Sequence, residues 1–166
     1  MERVLIIGCG GAGKTTLARA LGEKTGLPVV HLDKLFWKPG WVETPKAEFD
    51  TVIRREMAKP RWILDGNFHQ TLPERLTYCD TVIYLDFNRF ICLLGVAKRV
   101  ITTYGRVRPD MGAGCPERFD WDFVKWVWHF NKRNRKHYHQ ALSQAESVTV
   151  YILKNRRQVR RFLESL

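Results

Sequence analysis

The string Gly8-Cys9-Gly10-Gly11-Ala12-Gly13-Lys14-Thr15 fits G-x-x-x-x-G-K-[ST]. Glycines there permit backbone torsions that turn successive N–H groups around an anion. A helix starting at Lys14 adds its positive end. In this setting Lys14 reaches the β- and γ-phosphates, and Thr15 gives its hydroxyl to Mg²⁺. Nucleotide binding is therefore expected at Gly8, Gly10, Gly11, Ala12, Gly13, Lys14, Thr15 and Thr16. Hydrolysis, transfer and sensing of a phosphate all begin from such a loop. A Ras-type GTPase also needs N-K-x-D and D-x-x-G. Neither occurs, and the nearest string, Asn131-Lys132-Arg133-Asn134, lacks the Asp. Motor and helicase ATPases are usually longer than 166 residues. A small ATP-dependent kinase remains.

Three aspartates follow apolar runs: Asp33, Asp65 and Asp86. A carboxylate at Asp33 could orient or deprotonate an acceptor hydroxyl. It could equally cap the segment after it. Asp86 fits the Walker B pattern of an apolar run and then Asp. Phosphoryl transfer needs positive charge on the moving group. Arg99, Arg106 and Arg108 lie at and beyond the end of one helix, and Arg133 and Arg135 lie on the next. Trp37 and Trp41 could stack on an aromatic acceptor or pack a loop onto the core. Cys9, Cys79, Cys92 and Cys115 lack metal-ligand spacing,.

These residues need positioning elements. Val4–Ile7 is a continuous apolar run, as in a strand buried on both faces,. A helix over Lys14–Thr25 stops at Gly26, and Pro28–Leu32 reads as a second strand ending at Asp33,. Phe36–Trp41 is an aromatic turn, and a helix begins at Thr44-Pro45, with Pro at its first position, and runs to about Ala58,. Arg61–Asp65 is a third strand, Leu72–Thr77 a short helix and Thr81–Asp86 a fourth strand. A helix over about Arg89–Thr103 leads into a loop, Tyr104–Asp120, of the length often used for lids,. A Trp-rich helix runs to about Ser143, Val148–Leu153 is a fifth strand, and a basic helix starts at Arg156. This alternation predicts an α/β fold with a parallel sheet and helices on both faces. Ligands of such sheets bind at the carboxyl ends of the strands. Gly8, Asp33, Asp65-Gly66 and Asp86 converge there.

At 45% hydrophobic residues the chain reads as one folded domain over 1–166, with an acceptor-binding segment at about 33–60 and a lid at about 104–122. No stretch is long and apolar enough for a membrane, no signal peptide is apparent, and a reduced cytoplasmic protein is expected. The net charge of +11 suits either a polyphosphate cleft or a nucleic-acid surface,. The basic strings Lys132–His139 and Lys154–Arg161 are the best argument for the second, but they equally suit a solvated helix or the adenine-side wall of an ATP site. With no nucleic-acid-binding consensus beside them, a nucleic-acid partner is not favoured,.

Leu64-Asp65-Gly66 and the run Asp80–Asp86 resemble the third and fourth strands of adenylate kinase and its relatives. Asp65-Gly66-Asn67-Phe68, Leu72–Leu76, Tyr104–Met111 and the Trp-rich helix together resemble the bacterial DNA topology modulation proteins, which are adenylate-kinase-like. The resemblance implies a three-layer P-loop NTPase fold, with a five-stranded sheet in order 2-3-1-4-5 and an arginine-rich lid. It gives Asp65 a hold on Mg²⁺ through water and places His69 where the family has an acceptor-gripping arginine; Arg75 is six residues on. Asp33 matches the second Asp of the F-x-D-x-D string of shikimate kinases, while His31 falls on the first. Arg99 or Arg106 would lie over the adenine or its phosphates, and Asn155 beside the adenine. The catalytic set is then Lys14, Asp33, Arg99, Arg106 and Arg133; the acceptor set is Asp33, Trp37, Arg54, Gly66 and His69. The implied function is transfer of the ATP γ-phosphoryl, with Mg²⁺, to a nucleotide, nucleoside or small hydroxylated metabolite. The rival is an ATP-binding protein acting on DNA.

Overall fold

The computed structural model describes all 166 residues. β1 (Arg3–Gly8), β2 (Val29–His31), β5 (Trp62–Asp65), β6 (Thr81–Leu85) and β7 (Thr149–Leu153) form one sheet. Its spatial order is β2-β5-β1-β6-β7, with every pairing parallel. Counted along the chain within this sheet, that is the expected 2-3-1-4-5. A second, two-stranded antiparallel sheet joins β3 (Trp37–Lys38) to β4 (Val42–Glu43). Val4–Ile7 and Val82–Leu85 are buried, because strands covered on both faces have no solvent side to carry polar residues,.

The helices are α1 (Lys14–Thr25), α2 (Leu32–Phe36), α3 (Lys46–Met57), α4 (Leu72–Tyr78), α5 (Arg89–Thr103), α6 (Trp121–Ser143) and α7 (Arg156–Glu164). Their starts follow from capping chemistry. Asn88 accepts from the Phe90 N–H, Asp120 from those of Asp122 and Phe123, and Asn155 from that of Gln158,. α1 packs on β1 and β5 with α7 beside it, and α5 packs along α6. All the buried hydrophobic residues except Met111 and Cys115 form one continuous cluster.

Three local readings change. β2 stops at His31, so Asp33 sits in the first turn of a helix and does not end a strand. The cause is Leu32, fully buried against Gly66, where a Cβ would lie 2.7 Å from that of Leu32; the chain turns to place it there. The aromatic turn is a hairpin, β3–β4, reversed through Gly40 and Trp41, both at positive φ. Pro45 precedes α3 as its cap and leaves Lys46 as the first helical residue.

Candidate active site

β1 ends at Gly8, and the loop from Cys9 to Gly13 turns into α1 at the carboxyl edge of the sheet. Gly11 has φ 79°, and a Cβ there would lie 2.1 Å from the Cys92 carbonyl oxygen. From the other side, a Cβ on Gly95 of α5 would lie 2.1 Å from the Gly11 carbonyl oxygen. Loop and helix backbones are thus in direct contact. Gly95 escaped the sequence reading, although a glycine within an apolar helix marks such close approaches. The Cys9 thiol is buried beside Cys92, and that neighbour and the burial push its pKa up, so it is no nucleophile,.

Lys14 Nζ donates to the Cys9 carbonyl at 3.2 Å, folded back on its own loop. Thr15 Oγ1 donates to Asp65 Oδ2 at 2.8 Å and lies 3.4 Å from Asp110 Oδ2. His31 Nδ1 lies 2.9 Å from the same Asp65 oxygen. Asp65 Oδ1 is buried with no hydrogen-bond partner. A threonine hydroxyl beside a carboxylate with a spare oxygen is a donor set that fits a hydrated Mg²⁺, one ligand direct and one through water. Asp33 is half-buried nearby. Burial raises its pKa, Asp65 and Asp110 act the same way, and Lys14 and Arg108 oppose them.

The turn after β5 is held from beneath. The Arg75 side chain is wholly buried; Nη1 donates to the Gly66 carbonyl at 2.9 Å, and Nη2 to those of Asn67 and, at 3.0 Å, Phe68. Burial lowers its pKa to about 10. Arg75 therefore shapes the turn and is not available to a phosphate. Asn67 Oδ1, so presented, accepts the Gly8 N–H at 2.9 Å and ties the turn to the P-loop. His69 is exposed and, with Phe36, Phe49 and Phe68, lines a cavity of roughly 280 Å³.

The lid carries a chain of ion pairs. Arg99 Nε of α5 lies 3.1 Å from Glu117 Oε2, and Arg108 Nε lies 2.9 Å from the same atom. Arg108 Nη1 then donates to Asp110 Oδ2 at 2.6 Å, and Asp110 reaches Thr15. The lid also rests on the hairpin: the Gly40 N–H donates to the Gly114 carbonyl at 3.0 Å, and the Cys115 thiol to that of Lys38 at 3.2 Å. Trp37 packs there, its carbonyl against Gly112 and its ring edge-on to Phe36 and Trp41.

Other expected residues lie apart from this cluster. Arg54 is exposed and bonded through two nitrogens to Glu74, at 2.7 and 3.2 Å. Arg106 and Arg133 are exposed and have no ion pair. It is Arg135, two residues beyond Arg133, that reaches the sheet edge, 2.8 Å from Asp86 Oδ2, with His139 at 3.2 Å from the same oxygen. That pairing makes Asp86 a structural anchor for α6. Asn155 caps α7 at the end of β7. Thr16 is exposed and Gly66 is buried under Leu32. A second cavity, roughly 530 Å³, lies near the starts of β6 and β7, at the edge opposite the P-loop.

Two solved structures that share this fold are shikimate kinases. That of Acinetobacter baumannii, in complex with shikimate, superposes with a TM-score of 0.65 over 99% of this chain and 90% of its own, at 17% identity. That of Bacteroides thetaiotaomicron gives 0.57 over 99% and 95%, at 18% identity. The chain shares the α/β fold of these two structures, with its five-stranded parallel sheet. No protein-family model and no curated protein matches the chain. The contacts Asn67–Gly8, His31–Asp65 and Asp110–Thr15 lie outside the motif read from sequence.

Proposed function

We propose that the chain is a phosphotransferase that moves the γ-phosphoryl of ATP to a hydroxyl of a small molecule. The observation that carries this is the meeting of Lys14, Thr15, Asp65 and Asp33 at one strand edge, with Asp65 Oδ1 unpartnered. The P-loop kinase fold agrees, and the A. baumannii structure holds a small hydroxylated molecule, shikimate.

The loop N–H groups and the start of α1 bind the phosphates. Thr15 and Asp65 would hold Mg²⁺, which supplies positive charge to the phosphate oxygens. Lys14, released from the Cys9 carbonyl, compensates the charge on the moving group,. Asp33 accepts the acceptor's hydroxyl proton; its raised pKa suits a group that must hold a proton after transfer,. Arg99 and Arg108 are held over the site by Glu117, and the lid, at about 104–122, excludes water so that the acceptor competes with hydrolysis,. The acceptor segment is about 33–60.

Lys14→Met tests the reading. ATP-dependent phosphorylation should fall by about 10²-fold or more, as for loss of one donor to transition-state charge. Circular dichroism and the melting temperature should stay near those of the parent. Turnover that survives the change overturns the mechanism.

A further inference from the structure

The cavity beside His69 has a charge unlike the rest of the molecule. The chain carries +11, yet no arginine lines this cavity. Its charged lining is Glu43, Asp50 and Lys46, two carboxylates against one ammonium, and Lys46 is already paired with Asp50. Asp50 Oδ1 is buried without a hydrogen-bond partner. The apolar side is three rings: Phe49 and Phe68 with centroids 4.7 Å apart, and Phe36 at 4.9 and 5.0 Å from them.

Four arginines that carry the type of donor an anion needs already have partners. Arg54 is held by Glu74, Arg75 by backbone carbonyls, and Arg99 and Arg108 by Glu117. A phosphate or carboxylate on the acceptor would enter a cavity of net negative charge with no bidentate donor. An organic ammonium would meet a lining in which the carboxylates of Glu43 and Asp50 outnumber the one ammonium, and aromatic faces, both of which attract it,.

The cavity belongs to the same segments as the catalytic groups. Phe36 follows Asp33 by three residues on α2, about 4.5 Å along the helix axis,. Phe68 follows Asp65 by three residues, next to the Asn67 that holds Gly8. We propose, resting on the kinase reading above, that this cavity is the acceptor pocket and that its acceptor is a hydroxylated organic amine with no phosphate or carboxylate. The amine sits at Asp50 and the hydroxyl at Asp33. In the reaction the hydroxyl oxygen bonds to the γ-phosphorus as the bond from that phosphorus to the β–γ bridging oxygen breaks. ADP leaves with the electron pair, and the hydroxyl proton passes to the Asp33 carboxylate.

The test is calorimetric titration of the full chain with three probes: 2-amino-1-phenylethanol, mandelate and adenosine monophosphate. Each is titrated with Mg²⁺ and a non-hydrolysable ATP analogue present. The amine should bind at least tenfold more tightly than mandelate, which replaces the ammonium carbon by a carboxylate on the same ring and alcohol. Asp50→Asn should remove most of that preference, and Glu43→Gln, at an exposed position, should weaken it in the same direction. Tighter binding of mandelate or the monophosphate overturns the inference, as does absence of amine binding. Neither result touches the kinase reading, which fails separately if the ATP analogue does not bind. An amine preference unchanged in both variants also overturns the inference, since the cavity would then not be its source.

Discussion

Burial raises the pKa of Asp33, with Asp65 and Asp110 adding to the effect against the pull of Lys14 and Arg108. For an acid with a raised folded-state value, the unfolded chain releases its proton first as pH climbs. The folded state then binds more protons than the unfolded one, so stability falls across the window from the ordinary carboxylate value up to the raised one. Above that window the loss is complete. Asp33→Asn should therefore melt higher than the parent at pH 7, and the two curves should converge in acid below the ordinary carboxylate range. The same variant should lose phosphoryl transfer. Melting temperatures across pH check the first claim, and a variant that melts lower at pH 7 refutes it. At this scale the P-loop was legible because its chemistry lies within eight consecutive residues. The contacts His31–Asp65, Asn67–Gly8 and Thr15–Asp110 span 34, 59 and 95 residues, and no local spacing encodes them. Arg75 shows the converse error: its type suggested a phosphate ligand, and only its full burial shows that it serves the backbone.

The turn joining β5 to α4 depends on that one guanidinium. Arg75→Met removes the donor to three carbonyls, each costing roughly 1–3 kcal/mol when left unmade,. Urea denaturation should show a loss of at least about 3 kcal/mol. Arg75→Lys should recover little of it, since an ammonium on a flexible stem does not reproduce the planar fork. Equal stability of Arg75→Met and the parent would refute this role. Long elements were readable from sequence because apolar residues recur along them, as in α1, α5 and the strands of the main sheet. The hairpin was not, because strands of two residues have no period to detect. α2 was missed for a related reason: at five residues it is set by the burial of Leu32, a tertiary demand.

Across the whole molecule, the lid touches three separate parts: α5 through Arg99–Glu117, the hairpin through Gly114 and Cys115, and the P-loop through Asp110. Asp110→Ala cuts the last of these and frees Arg108 on one side. Tryptic cleavage in the lid, at Arg106, should become several-fold faster, while cleavage on α7 keeps its rate. Equal lid cleavage in parent and variant would show that Asp110 does not hold the lid down. The net charge of +11 is carried largely on exposed faces, including Arg156, Arg157, Arg160 and Arg161 of α7. No helix is long and apolar enough to cross a membrane.

The contact of Gly11 with Gly95 makes α5 a lever. Its fulcrum is the phosphate loop, and its long arm runs eight residues further to Thr103, where the lid begins. With no side chain between the two backbones to absorb a displacement, a shift of the loop becomes a larger swing at the far end. Were a phosphate to fill the loop and shift it, that shift would be passed mechanically to the lid, even though the lid's own sequence contains no nucleotide-binding motif.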